Sequence, residues 1–258
     1  MAYSEDQAAH LSDQQHAVVR ELQELFLQIV VQGESATNAR VREHLLHGAA
    51  RRVGVIKRCI ENVYTLFPPG ASRPLHEDKL ADVQINLHAF VMNLYGIYDN
   101  WAWAYILRHD LEEEIGGRRR IGLFIEATQK RLPTALRNYL SSTATSEWYE
   151  KYVKSFRDAL AHRIPLYIPP AQFTPDEGEQ YNRLEAEKVE CITAMRWERL
   201  DQIWSEQTAI GVPCFTFLHA FSEDDPPSPI LLHPQMLSDA RSTVEFGMLF
   251  LKHWHENT

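Results

Sequence analysis

The hexapeptide Arg157-Asp158-Ala159-Leu160-Ala161-His162 holds the residue types that phosphodiester chemistry uses. A guanidinium stays charged and grips phosphate oxygens in a planar fork. An imidazole near its neutral pKa takes or gives a proton. Such a pair can activate a ribose 2′-hydroxyl and stabilise the charge that gathers around phosphorus, with no metal. Five positions along an ideal helix turn a side chain by about 140°, so Arg157 and His162 do not share a face of a straight helix. They converge only where the helix gives out, and Ile164-Pro165 supplies an ending. Asp158 and His162, four apart, share a face and can pair. The same residues also suit a structural role. Arg157 and Asp158 would then be surface ion-pair formers, with His162 a favourable charge at a helix C-terminus.

Asn86, Asn93 and Asn100 form a second constellation, with Asp99 beside the last. A spacing of seven is nearly two turns, so the three lie in one line with about 20° of drift per step. Asparagine is a poor mid-helix residue and costly to bury unpaired, so three in register need partners. Asn93, Asp99 and Asn100 are read as a polar wall opposite Arg157 and His162. Bonds across helices, or to the segment at 164–170, are the alternative for these asparagines, Asn86 and Asn93 above all. His44 and His47 are one turn apart, but no third ligand stands at metal spacing, so no metal is expected. Trp101, Trp103, Trp148, Trp197 and Trp204 read mostly as core or interface, with base stacking a minor reading for Trp103 or Tyr167. There is no phosphate-binding loop, dinucleotide fingerprint, nucleophile elbow or HExxH, and no cofactor is expected.

These residues must be positioned by helices, because apolar residues recur at helical spacing through most of the chain. Val18, Leu22, Leu25, Phe26 and Ile29 stripe a first helix, with Ser12 and Gln15 at capping-box spacing and Gly33 as its stop. A second runs over 37–67, burying Leu46, Ala49, Val53, Ile56, Ile60 and Val63, and ends at Pro68-Pro69-Gly70. A third spans 72–108, striped by Leu87, Val91, Leu94, Tyr98, Trp101 and Tyr105. Gly116-Gly117 breaks the pattern. A shorter helix follows at 123–140, interrupted at Pro133, and a fifth at 146–163 faces Tyr149, Val153, Phe156 and Leu160 inward. The proline-rich segment 164–170 reads as an extended strap. Thr174-Pro175-Asp176-Glu177 starts a helix to about 210, with Val189, Ile192, Leu200 and Ile203 inward. Residues 214–221 and 229–233 read as a hairpin joined through Ser222–Pro227, ahead of a last helix over 234–255 that buries Leu237, Val244, Met248 and Leu251. The expected architecture is mainly α: one domain over 1–258, an antiparallel helical bundle with a β-hairpin inserted at about 213–233.

The net charge of −9 argues against a general nucleic-acid binder but leaves room for a local basic site, for which Arg118-Arg119-Arg120, Arg51-Arg52 and Arg163 are candidates. The three cysteines, Cys59, Cys191 and Cys214, are odd in number and widely spaced, which suits a reducing compartment. The start MAYSEDQAAHLSDQQ is polar and acidic, and no apolar run approaches a membrane span. A soluble cytoplasmic protein without a membrane partner is expected.

An arginine, a polar residue and then a histidine near the end of a late helix, here Arg157-Asp158-x-x-x-His162, resembles the motif of the HEPN superfamily. The stretch LADVQINLHAFVMNLYGIYDNWAWAY is also similar to a helix of HEPN-like bacterial proteins. The resemblance covers about 75–170 and leaves the C-terminal region aside. It implies a helical bundle and a metal-independent endoribonuclease of the kind found in toxin–antitoxin and phage-defence systems. It also implies a homodimer in which two motif copies meet in one composite site. RNA would be the substrate, and an antitoxin or other protein a partner. Arg157 would contact phosphate, His162 would be the acid/base, and Asp158 would orient them. The rival expectation is a non-catalytic HEPN-like binding or assembly protein, whose acidic surface and long helices serve protein contacts. A helical metal-dependent enzyme using Asp99 with histidines is a third.

Overall fold

Ser4, not Ser12, starts the first helix. In this computed structural model, which describes residues 3–219 and 228–256, α1 spans Glu5–Ser35. The Ser4 side chain accepts from Gln7 N, and the Gln7 side chain reaches back to Ser4 N, forming a complete capping box. Ser12 and Gln15 have the same spacing, but Ser12 lies inside the helix with its hydroxyl donating to the Ala8 carbonyl. The outer box adds two turns and carries Tyr3 onto Phe215, 4.8 Å between ring centres. Val18, Leu22, Leu25 and Ile29 are buried along α1, as the stripe predicts.

The second helical segment is continuous but not uniform. It consists of α2 (Ala39–Arg42), a π-helical run (Glu43–Ala50) and α3 (Arg51–Leu66). The i→i+5 bonding of the π run shifts the register, so Leu45 rather than Leu46 is buried, and Leu46 lies against Gly33. The long α4 (Glu77–Arg108) starts after Pro74, with the His76 side chain capping Asp78 N. Every residue of its predicted stripe is buried, from Leu87 to Tyr105. α4 packs along α3 and the π run, while α1 packs against α3 and the last helix, Leu232–Lys252.

Between α4 and the strap, Gly116 (φ 79°) and Gly117 (φ 119°) take conformations that L side chains rarely adopt. Before these glycines comes α5 (Glu112–Ile115) and after them a 3-10 turn (Arg118–Arg120). The helix expected at 123–140 is two short pieces, α6 (Glu126–Gln129) and, restarting after Pro133 as expected, α7 (Thr134–Ser141). Next come α8 (Thr143–Trp148), a second π-helical run (Tyr149–Lys154) and α9 (Ser155–His162), which together form one continuous helix. The strap is extended as expected. His88 Nε2 lies 2.9 Å from the Leu166 carbonyl, Ile168 N donates to Gln84 Oε1, and Tyr167 and Leu218 exchange two backbone bonds.

Thr174 and Glu177 form the capping box that their spacing predicts, with Pro175 in the first turn. The helix they start does not reach 210. Met195 takes φ 54° and folds the chain back, giving α10 (Pro175–Thr193) and α11 (Trp197–Thr208). This helical hairpin encloses a small core of its own: Leu184, Cys191, Leu200, Ile203 and Ile210. Val189 and Ile192, expected inward, are 61% and 49% exposed, because the fold-back turns that face of α10 to solvent. β1 (Thr216–His219) pairs antiparallel with β2 (Ser228–Leu231), Thr216 opposite Leu231. The connection read at Ser222–Pro227 lies outside the described residues. α12 (Leu232–Lys252) follows directly, burying Leu237 and Leu251, while Val244 and Met248 are partly buried. The chain is thus mainly α, a helical bundle with a two-stranded antiparallel hairpin before the last helix. Among the described residues no helix is long and apolar enough to cross a membrane.

Two buried titratable groups on α12 make stability depend on pH in opposite senses. Asp239 is buried, and its Oδ1 accepts from both Trp148 Nε1 (2.8 Å) and Gln235 Nε2 (2.7 Å). Burial pushes its carboxyl up to about 7. His233 is also buried, Nε2 donating to the Phe67 carbonyl at 2.7 Å, and burial pulls its imidazole down to about 4. The folded state holds the Asp239 proton more tightly than the unfolded chain, so this group removes stability as pH rises from about 4 to 7. His233 removes stability as pH falls from about 6.5 to 4. Asp239→Asn keeps an Oδ1 to accept both bonds and abolishes the ionisation. The variant's melting temperature relative to the natural chain should therefore be higher at pH 8 than at pH 4 by roughly 4 °C or more. Thermal unfolding followed by circular dichroism reads this, and an equal shift at both pH values would rule the carboxyl out as the cause.

Candidate functional site

Asn93 and Asn100 stand two turns apart on α4 and hold one guanidinium from α3. Arg52 Nη1 donates to Asn93 Oδ1 at 3.2 Å, and Arg52 Nε donates to Asn100 Oδ1 at 2.8 Å. Gly96 lies midway between them. A Cβ there would stand 2.5 Å from Arg52 Cζ, so only glycine lets the guanidinium lie flat on the helix. Gly48 makes the same room for Asn100, where an added Cβ would stand 2.5 Å from Nδ2. Asn93 Nδ2 donates back to the Ala89 carbonyl. Asn100 Nδ2 lies 3.4 Å from His44 Nδ1, and the His44 ring is parallel to Trp103 at 5.7 Å. Asn86 accepts from Asn62 Nδ2 at 2.9 Å, a plain helix-to-helix bond. The asparagine line therefore joins α4 to the second helical segment along its length.

The other side of this cluster is built from the helix ending in α9. Arg157 Cζ lies 4.1 Å above the Tyr95 ring, and Nη1 is 2.8 Å from Asp158 Oδ1. The Arg157 side chain is 24% exposed. Burial pulls its pKa down, but Tyr95 and Asp158 pull it up by more, so the charge is held firmly. Asp99 stands where the two arginines meet electrostatically. Crowding by protein raises its carboxyl above the ordinary carboxylate value, and Arg157 and then Arg52 pull it only part of the way back. Asp99 is nonetheless exposed at the surface. A cavity of about 190 Å³ opens beside it, lined by Asp99, Tyr95, Glu150 and Lys154, where Phe124 stacks on Tyr149 at 3.5 Å. Lys151, Lys154, Arg157 and Arg163 stand here among Glu147, Glu150, Asp158 and Asp99, with Lys154 paired to Glu150 and Arg157 to Asp158.

His162 is the last residue of α9 and is exposed. Arg163 leaves the helix with φ −136° and ψ −148°. Arg157 is directed onto α4, and among the described residues no contact joins it to His162. The fold thus gathers Arg157, Asp158 and Asp99, with Arg52 tying in Asn93 and Asn100, and leaves His162 at the helix end. Arg52, Gly96 and Tyr95 were not singled out as partners by residue type. A glycine halfway between two in-line asparagines was the available sign that a long side chain crosses there.

Comparison of the chain with protein-family models, with curated proteins and with solved structures finds no match in any of the three. The HEPN resemblance therefore rests on the residues of this chain alone.

The arginine clamp should behave as one energetic unit. Arg52→Ala and Asn100→Ala should each lower stability by about 1–3 kcal/mol, because each leaves a part-buried polar partner behind. Together they should cost less than the sum, with a coupling of at least about 0.5 kcal/mol in a urea-unfolding double-mutant cycle. Strictly additive effects would mean that the guanidinium and the amides do not stabilise one another.

Proposed function

We propose that this chain is a HEPN-like, metal-independent endoribonuclease that works as a homodimer. The observation that supports it most is the end of α9, with an arginine fixed by Tyr95 and Asp158 yet partly open, and a histidine exposed at the last helical position. In this reading His162 takes the proton of a ribose 2′-hydroxyl. The freed oxygen attacks phosphorus, and the bond from phosphorus to the 5′-oxygen breaks. The imidazolium returns the proton to that leaving oxygen. The products are a 2′,3′-cyclic phosphate and a 5′-hydroxyl, so no oxidant or co-reactant is needed. Arg157 stabilises the negative charge on the phosphoryl oxygens. Asp158 and Asp99 keep the guanidinium charged and oriented. Because no contact joins Arg157 to His162 within one chain, two copies facing across α9 would pair one chain's arginine with the other's histidine. Three buried free cysteines suit a cytoplasmic setting, where a toxin or phage-defence effector held by an antitoxin would act.

A second reading is a non-catalytic HEPN-like assembly protein. It draws on the α10–α11 turn, where Val189, Ile192, Met195 and Trp197 expose apolar surface side by side.

The two readings separate in one assay. Purified protein incubated with single-stranded RNAs in EDTA should produce 2′,3′-cyclic phosphate ends. Arg157→Ala and His162→Ala should each reduce the rate by about a hundredfold or more while helicity is unchanged. Cleavage surviving in both variants would sink the nuclease reading. A negative result across substrates from about pH 5 to 9, the range in which imidazole titrates, would favour assembly instead.

A further inference from the structure

A second cleft lies away from α9, between the start of α4, the strap and the α10–α11 hairpin. Its volume is about 380 Å³, within the size range of small-molecule sites. Tyr167 from the strap and Tyr181 from α10 give it aromatic faces, and Trp204 from α11 closes it. Tyr167 is 48% exposed, although its backbone is pinned to Leu218 by two hydrogen bonds. The wall is therefore rigid and its face accessible.

The polar groups in the cleft are unevenly satisfied. Trp204 contributes ring surface only, because its Nε1 is buried and closed to the cleft. Lys188, its side chain only 13% exposed, is held 3.1 Å from Glu185 Oε2 and 3.5 Å from Glu77 Oε2. Gln207 Nε2 also donates to Glu185 Oε2, at 2.7 Å. Both donors address the same oxygen, which leaves Glu185 Oε1 with lone pairs to offer. The one ammonium is already matched by two carboxylates, so the cleft does not favour an anion.

A matching ligand is planar, uncharged and rimmed by N–H donors. That is the edge of a nucleobase. We propose that this cleft binds a nucleobase, stacked on Tyr167 and Tyr181, its N–H donors reaching Glu185. The base is supplied by a free nucleoside or by a single strand of RNA. The proposal goes beyond the cleavage reading and stands without it.

Isothermal titration of the full chain with guanosine, adenosine, cytidine and uridine tests this, with ribose 5-phosphate as the control that lacks a base. At least one nucleoside should bind at micromolar to millimolar concentration, and the control should not. Tyr167→Ala, which removes a stacking face, and Glu185→Ala, which removes the acceptor, should each weaken binding about tenfold or more. If Glu185→Ala perturbs the fold, Tyr167→Ala decides, since that residue is half exposed. No binding by any nucleoside, equal binding of the control, or affinity unmoved by Tyr167→Ala would overturn the proposal. A short oligoribonucleotide that binds more tightly than its nucleosides identifies a strand as the source. Nucleosides that bind while the oligomer does not identify a free ligand. His162→Ala should leave these titrations unchanged, which separates their outcome from that of the cleavage assay.

Discussion

The face between α3 and α4 has to carry amides without leaving them dry and unpaired, and one guanidinium meets that need. Arg52 lies on Gly96 and bonds Asn93 and Asn100 from the neighbouring helix. Buried apolar side chains pull the two helices together along their whole length, but such contacts tolerate sliding. A charged fork held at two points two turns apart does not, because either slip or rotation would strip a part-buried acceptor of its donor. The clamp thus fixes the rotation of α4, and with it the direction of Asp99 and Tyr95.

That orientation reaches the opposite side of α4. Tyr95 is the platform on which Arg157 rests, and Asp99 feels Arg157 and Arg52 together. Both arginines limit the rise of the Asp99 carboxyl that crowding causes, and Asp158 pairs Arg157 from its own helix. The cluster is therefore mutually dependent, since α3 orients α4, α4 seats α9, and the charges on both sides act on Asp99.

Much of the architecture was legible because its signals are local. The α4 stripe, the Thr174–Glu177 capping box, the proline strap and the hairpin before α12 all arise from spacing or from proline chemistry. Elements shaped by competition were not legible. Ser4/Gln7 and Ser12/Gln15 share capping-box spacing ahead of the α1 stripe; the outer pair caps the helix, and Tyr3 beside it stacks on Phe215. The break at Met195 carries no glycine or proline, so nothing local announced that 174–210 would fold back on itself. At the site, residue types drew attention to Asn93 and Asn100, but the guanidinium between them comes from 41 and 48 positions away along the chain. Pairing at such distance is decided by packing and is invisible to periodicity.

The two π-helical runs bear on why these arginines face α4 at all. Glu43–Ala50 ends two residues before Arg52, and Tyr149–Lys154 ends three before Arg157. Each run bonds i→i+5 and changes the helical phase of the residues C-terminal to it. In an uninterrupted α-helix the apolar stripe and the arginine keep one angular relation from end to end. A wider turn lets the preceding stripe stay in the core, with Leu45 and Ala49 in the first run and Tyr149 and Val153 in the second. The next turn is then rotated so that a long cationic side chain lies along the interface. Wide turns of this kind pack less regularly, and they persist only where later contacts hold them. Here those contacts are the amide clamp on one side and the Tyr95 stack on the other. The irregular turns and the part-buried arginines are therefore best understood as one device, in which helical phase is exchanged for the placement of two arginines on a single central helix.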